Sequence, residues 1–235
     1  SGGKLIFKQV EEALKLLEDA ESKLTEMKTT ATGRIRIGAT DSIFSHVLSD
    51  KIAEYNAEYP SVKLELISST TPDIIDRLKD GKCDIAFINL PLEDDELHFY
   101  GTVCHLNDVF VAGKKYDSLK DKTIQLKDLQ EYPLMMIEEN TVARNAVNRY
   151  LDSVGVSLVP DNEVANWDFM KKLIVKGMGV GFIPREYCAD EFESGELFEL
   201  VTDPALPARG IGIVIAKHVS LSFAMKKFLE MFNCG

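Results

Sequence analysis

Twice along this chain, short apolar or period-two runs alternate with stretches whose apolar residues recur every three to four positions. That alternation restricts the fold to the α/β class built on parallel strands. In the first series Arg34-Ile35-Arg36-Ile37 alternates as a strand, and Thr40-Asp41-Ser42 supplies cap residues for a helix. The apolar positions Phe44, Val47, Leu48, Ile52 and Tyr55 carry that helix until it stops before Pro60. Val62, Leu64 and Leu66 alternate again, Pro72 opens a helix through Ile74, Ile75 and Leu78 that ends at Gly81, and residues 83–88 (CDIAFI) read as a buried parallel strand.

The second series predicts a strand around Val109 to Ala112, a short helix around Lys127 to Tyr132 and a strand over Pro133 to Ile137. Asn140-Thr141 caps a helix containing Val142, Ala146, Val147, Tyr150, Leu151 and Val154, closed by Gly155. A strand at Glu163 to Ala165 precedes a helix capped by Asp168, which runs through Phe169, Leu173 and Ile174 to Gly177, and a strand at Val180 to Ile183 follows. The glycines of Gly177-Met178-Gly179-Val180-Gly181 lie between helix and strand, the reverse of a dinucleotide fingerprint, and read as a helix cap and close packing. A strand at Gly210 to Ala216 and a helix capped by Ser220 or Ser222, with Phe223, Phe228, Leu229 and Phe232, complete the chain.

Ahead of both series Ile6, Val10, Ala13, Leu17, Ala20, Leu24 and Met27 alternate four and three apart, a narrow heptad seam that predicts a dimerising helix over residues 1–30, ahead of the alternative of an amphipathic helix lying on its own domain, which usually shows a broader apolar face. Glu11 to Lys15 and Asp19 to Lys23 place an acid four residues before a base, the favourable order on a helix. Thr29 to Gly33 then reads as a linker.

No apolar run nears the roughly 18 residues of a membrane span, and no secretory pattern opens the chain. The four cysteines, Cys83, Cys104, Cys188 and Cys234, lack paired spacing, which fits a reduced, cytoplasmic setting. With 38 acidic against 27 basic residues the net charge is −11, so this chain by itself repels phosphate backbones. His46, His98, His105 and His218 have no metal-ligand spacing, and Cys104 and His105, as strand neighbours, point to opposite faces. Neither a metal, a cofactor nor a catalytic residue is expected. Trp167 reads as core or as the wall of a site.

Four segments resemble the LysR-type transcriptional regulators: Gly33 to Thr40 (GRIRIGAT), Leu78 to Ile88 (LKDGKCDIAFI), Leu173 to Pro184 (LIVKGMGVGFIP) and the head from Gly3 to Leu17. The resemblance implies a linker helix followed by two Rossmann-like α/β subdomains, arranged as in type II periplasmic binding proteins with a ligand cleft between them. Subdomain I would comprise residues 33–105 and 211–235, and subdomain II residues 106–210. It further implies a homodimer or homotetramer, and a winged helix-turn-helix ahead of Ser1 through which DNA would be bound.

In such a cleft the loops leaving strands would offer helix N-termini to an anion. The candidates are Thr40, Asp41 and Ser42; Ser69 and Thr70; Asn140 and Thr141, with Arg144 one turn on; and Asn89 and Asn166. In the family's pattern the residues matching Thr40 and Ser42 commonly bind effector through their hydroxyls. The same residue types are ordinary helix caps, and an Arg in that position is more often a solvated surface residue. The helix N-termini favour a carboxylate; Asp41 and Glu139 oppose a plain anion unless they point away or answer an ammonium group, so an amino acid is the other expected effector. A transporter's solute-binding protein is the alternative on the same fold; an enzyme on it is a third reading that lacks a catalytic constellation.

Overall fold

The structure, a computed structural model, describes Phe7, Val10, Ala13, Leu14 and Leu16 and residues 33–92, 94–217 and 219–232. The chain divides into two compact units, one of Ser1–Phe87, Glu93–Gly101 and Ile213–Gly235, the other of Ile88–Leu92 and Thr102–Gly212.

In the first unit β1 (Gly33–Ala39) lies parallel to β2 (Val62–Ser68), with Ala39 opposite Ser68, and also pairs in parallel with β3 (Ile85–Asn89). With β4 (Leu97–Leu106) and β11 (Arg209–Ala216), which like β3 run past the boundary of this unit, they form a sheet in the order β2-β1-β3-β11-β4. The β1–β2 connection begins as α1 (Asp41–Ile43), widens into a π-helical turn over Phe44–Leu48 and continues as α2 (Ser49–Glu58). That turn breaks the continuous helix expected from the sequence. The β2–β3 connection is α3 (Thr71–Lys79). Beneath the sheet, α7 (Phe223–Glu230) packs Phe228 edge-on against Tyr55, ring centroids 5.1 Å apart, and the Tyr55 hydroxyl donates to the Ala224 carbonyl at 2.9 Å. Ser222 caps that helix. Leu66 departs from the simple alternation: at 51% exposed it faces solvent, because β2 is the sheet's edge and its outer end is uncovered.

The second unit carries a mixed sheet in the order β6-β10-β5-β9-β7-β8. Its strands are β5 (Asp108–Gly113), β6 (Thr123–Gln125), β7 (Leu134–Ile137), β8 (Asn162–Val164), β9 (Val180–Pro184) and β10 (Leu197–Asp203). The helices are α4 (Val142–Ser153), α5 (Trp167–Val175) and α6 (Ala189–Ser194). Trp167 is core: its ring stands edge-on to Phe182 at 5.2 Å. The helix expected near Lys127 is a 3-10 turn over Leu126–Glu131, which tucks Leu126 and Leu129 inward. Six residues with two inward leucines three apart match the tighter three-residue period.

Two glycines explain how α5 meets β9. Gly177 closes the helix at φ +78°, a conformation L side chains rarely adopt. At Gly179 a Cβ would stand 2.2 Å from the Pro133 carbonyl oxygen, so only glycine lets these backbones approach.

Of the predicted dimerisation helix, Ile6, Leu17, Ala20, Leu24 and Met27 lie outside the described residues. Val10 and Ala13 are helical and exposed, as are Phe7, Leu14 and Leu16.

Candidate functional site

The first unit brings two of the candidate loops together, because the β1–β2 register ends both strands at one level. Thr40 caps α1 through a long 3.5 Å bond from the Ile43 N–H, and its hydroxyl lies 3.1 Å from that of Ser42. Asp41 accepts from the Ser68 hydroxyl, tying the loop to the end of β2. In the second loop Thr70 caps α3, again at 3.5 Å from the Asp73 N–H, while the Ser69 hydroxyl donates to Asp73 at 2.8 Å. Both threonine caps sit at the outer limit of hydrogen bonding. The hydroxyls are therefore loosely held beside two helix N-termini, where backbone N–H groups and the helix dipole favour an anion.

In the second unit β7 and β8 end side by side, Ile137 opposite Val164, and the Glu138 N–H donates to the Val164 carbonyl at 3.0 Å. This places residues 138–141 beside Asn166. Thr141 caps α4 firmly, accepting from the Arg144 N–H at 3.1 Å and donating to the Glu138 carbonyl at 3.2 Å. Asn140 sits at φ +66°, in the left-handed region that asparagine tolerates better than most residues. Asn166 is the cap of α5, accepting from the Phe169 N–H at 3.0 Å. Asp168, expected in that role, instead stands in the first helical turn, because the helix begins at Trp167.

Arg144 departs from the expectation of a solvated side chain. It is 3% exposed, with Nη1 donating to the Ile137 carbonyl and to Glu163, both at 2.8 Å, and Nε to Asn148 at 3.0 Å. It braces the ends of β7 and β8 and so holds the 138–141 loop in shape. Asn89 is likewise committed, accepting from Arg209 Nη1. Arg209 Nε in turn donates to the buried carboxylate of Asp108 at 2.7 Å. Neither Arg209 nor Asp108 stood out in the sequence: each is a lone charge beside a strand, and their separation of 101 residues leaves no local pattern.

Burial pushes the Cys83 and Cys188 thiols up to about 12, and burial, reinforced by the charge of Glu186, also raises that of Cys104. Among the described residues no group of His, Cys, Asp or Glu side chains could hold a metal ion, and no helix is long and apolar enough to cross a membrane.

Against known families, the model described as the LysR substrate binding domain matches residues 28–234. The chain belongs to the LysR substrate-binding domain family. This LysR domain is 25% identical over 208 residues to the uncharacterized HTH-type transcriptional regulator YwbI of Bacillus subtilis (strain 168), covering 88% of this chain and 68% of the relative. Its fold matches the Synechocystis PCC6803 CcmR regulatory domain, solved in complex with 2-PG, with a TM-score of 0.76 at 19% identity over 86% of this chain and 96% of the other. It also matches the effector-binding domain of QuiR, solved in complex with shikimate, with a TM-score of 0.72 at 17% identity over 85% of this chain and 95% of that one. The LysR domain is thus an effector-binding module of a transcription-regulator family and not an enzyme, and its two α/β units are the fold of such regulatory domains.

Proposed function

We propose that this LysR domain senses a small carboxylate or amino acid through the loops at the carboxyl ends of its strands. Within the first unit the residues are Thr40, Ser42, Ser69 and Thr70, on loops that adjoin at the ends of β1 and β2; within the second, taken by itself, the loop before α4 carries Asn140 and Thr141. The observation that carries this reading is the looseness of the Thr40 and Thr70 caps, both 3.5 Å from their N–H donors on adjoining strand ends. Hydroxyls so weakly engaged exchange partners at little cost, and the N–H groups they cover turn to a bound carboxylate. The relatives solved with 2-PG and with shikimate support a small-molecule effector. Asp41 and Glu139 add negative charge to these loops and favour a ligand that also carries an ammonium group. Arg144, Asn89 and Asn166 shape the loops rather than touch the effector.

Effector binding acts on transcription by favouring one arrangement of a self-associated protein over another, and only a ligand with unequal affinity for the two can do so. Self-association runs through the heptad helix, whose described seam residues Val10 and Ala13 are exposed. DNA contacts are made by a winged helix-turn-helix and not by this strongly acidic domain.

Calorimetric titration with a panel of small carboxylates and amino acids, shikimate included, tests the site. Thr40→Ala and Ser42→Ala are each expected to weaken the bound member about tenfold, the loss of one hydrogen bond to a charged group, with an unchanged circular dichroism spectrum. Unaltered affinity in both variants removes these hydroxyls from the site.

A further inference from the structure

A recess of about 370 Å³ opens in the second unit where β5 and β10 part. Their antiparallel ladder runs from Leu197 opposite Gly113 to Leu200 opposite Phe110 and ends there, while from Val201 onward β10 pairs with β6 on its other edge. On its other side β5 stays paired with β9 down to Asp108 opposite Pro184. The divergence leaves a gap walled by Asp108 and Val109 on one side and Leu200, Val201 and Thr202 on the other, with Ala205 and Leu206 at its edge. The volume lies at the lower end of the range for small-molecule sites, about 300–1,000 Å³. All of its lining belongs to this unit, and it includes no residue of the Thr40 or Thr70 loop.

The charges around the recess are unbalanced. Asp108 lines it, fully enclosed, with Oδ2 engaged by Arg209 and Oδ1 buried without a partner among the described residues. Glu199 lines it too, paired with Arg185, and the adjacent Glu186 carboxylate is held by the backbone and side-chain N–H groups of Asn107. Of the lining residues two are carboxylates and one, Arg185, a guanidinium, with Glu186 and Arg209 just outside, and among the described residues a buried acceptor has no donor, a situation proteins ordinarily avoid. Burial, and the charge of Glu186, hold the Asp108 carboxyl above its usual range despite Arg209. An added positive charge would relieve the imbalance, whereas an anion would deepen it.

We propose that this recess binds a small organic ammonium ion with a short aliphatic body. The ammonium group lies toward Glu199 and the Thr202 hydroxyl, in the field of the enclosed Asp108 carboxylate, and the aliphatic part packs on Leu200, Val201 and Leu206. The site is separate from the effector loops and stands whether or not they bind a carboxylate.

Isobutylamine, isobutanol and isobutyrate are matched probes of one shape with different charge. Titrated into the full chain and followed by saturation-transfer NMR, isobutylamine is expected to bind, isobutanol about tenfold more weakly, and isobutyrate not at all. Glu199→Gln should weaken the amine about tenfold, and the exposed Ala205→Trp should block it, while Thr40→Ala leaves it unchanged. The proposal is overturned if isobutylamine binds no better than isobutanol, if Glu199→Gln keeps full affinity, or if Thr40→Ala abolishes binding and so moves the amine to the other loops. Should Ala205→Trp fail to fold by circular dichroism, Glu199→Gln, which conserves shape, decides the matter.

Discussion

Arg209 and Asp108 form the most enclosed ion pair among the described residues, with side chains 7% and 2% exposed. Such a pair adds little net stability over an apolar replacement of both partners, but removing one alone strands the other's charge. Arg209→Met is therefore expected to cost about 3–5 kcal/mol in urea unfolding. The sign of its pH dependence follows from the raised pKa of Asp108. A carboxyl whose folded-state pKa lies above the unfolded value is protonated first in the folded state as pH falls, so the penalty for burying it is largest at neutral pH and is relieved on acidification. Losing Arg209 raises that pKa further, and the gap between variant and parent should narrow as the medium is acidified. A gap that widens would mean that Asp108 is not the group left behind.

At the scale of single elements, the caps differ in how firmly they hold. Thr141 accepts from the Arg144 N–H at 3.1 Å, whereas Thr70 is 3.5 Å from the Asp73 N–H. Thr141→Ala should cost about 1 kcal/mol and Thr70→Ala about 0.5 kcal/mol or less, read as urea midpoints. Equal losses would contradict the view that the Thr70 cap is kept loose for a ligand. The junction of α5 with β9 makes a stronger demand. The Pro133 carbonyl that a Cβ on Gly179 would meet already accepts from the Val180 N–H at 2.9 Å, so it cannot retreat without breaking the β7–β9 register. Gly179→Ala is expected to cost about 1–3 kcal/mol, the range for forced overpacking, with the unfolding slope unchanged if the fold survives.

For the molecule as a whole, the proposed self-association rests on a seam whose described members, Val10 and Ala13, are exposed. Light scattering of the full chain and of a version beginning at Gly33, over a range of concentrations, measures this. The full chain should be a dimer or larger and the shorter one should lose an assembly step; two monomers would end the linker-helix proposal. The net charge of −11 also predicts that the chain has no measurable affinity for duplex DNA at physiological salt.

The sequence by itself determined the class of fold and the place of most of its elements. Period-two runs such as Arg34 to Ile37, apolar spacing such as Val147 and Leu151, and the glycine that ends α5 are written in residues a few positions apart, and hydrophobic periodicity and backbone sterics act over that range. Cap residues were legible for the same reason, although Asn166 and Asp168 lie close enough for either to start a helix until Trp167 is packed on Phe182. What only the tertiary structure decided concerns charges and edges. The burial of Arg144, the pairing of Asp108 with Arg209 and the parting of β5 from β10 depend on strands brought together from distant parts of the chain. A charged side chain is stable inside only beside its partner, and a strand edge exists only once its neighbours are chosen, so neither leaves a mark in local sequence.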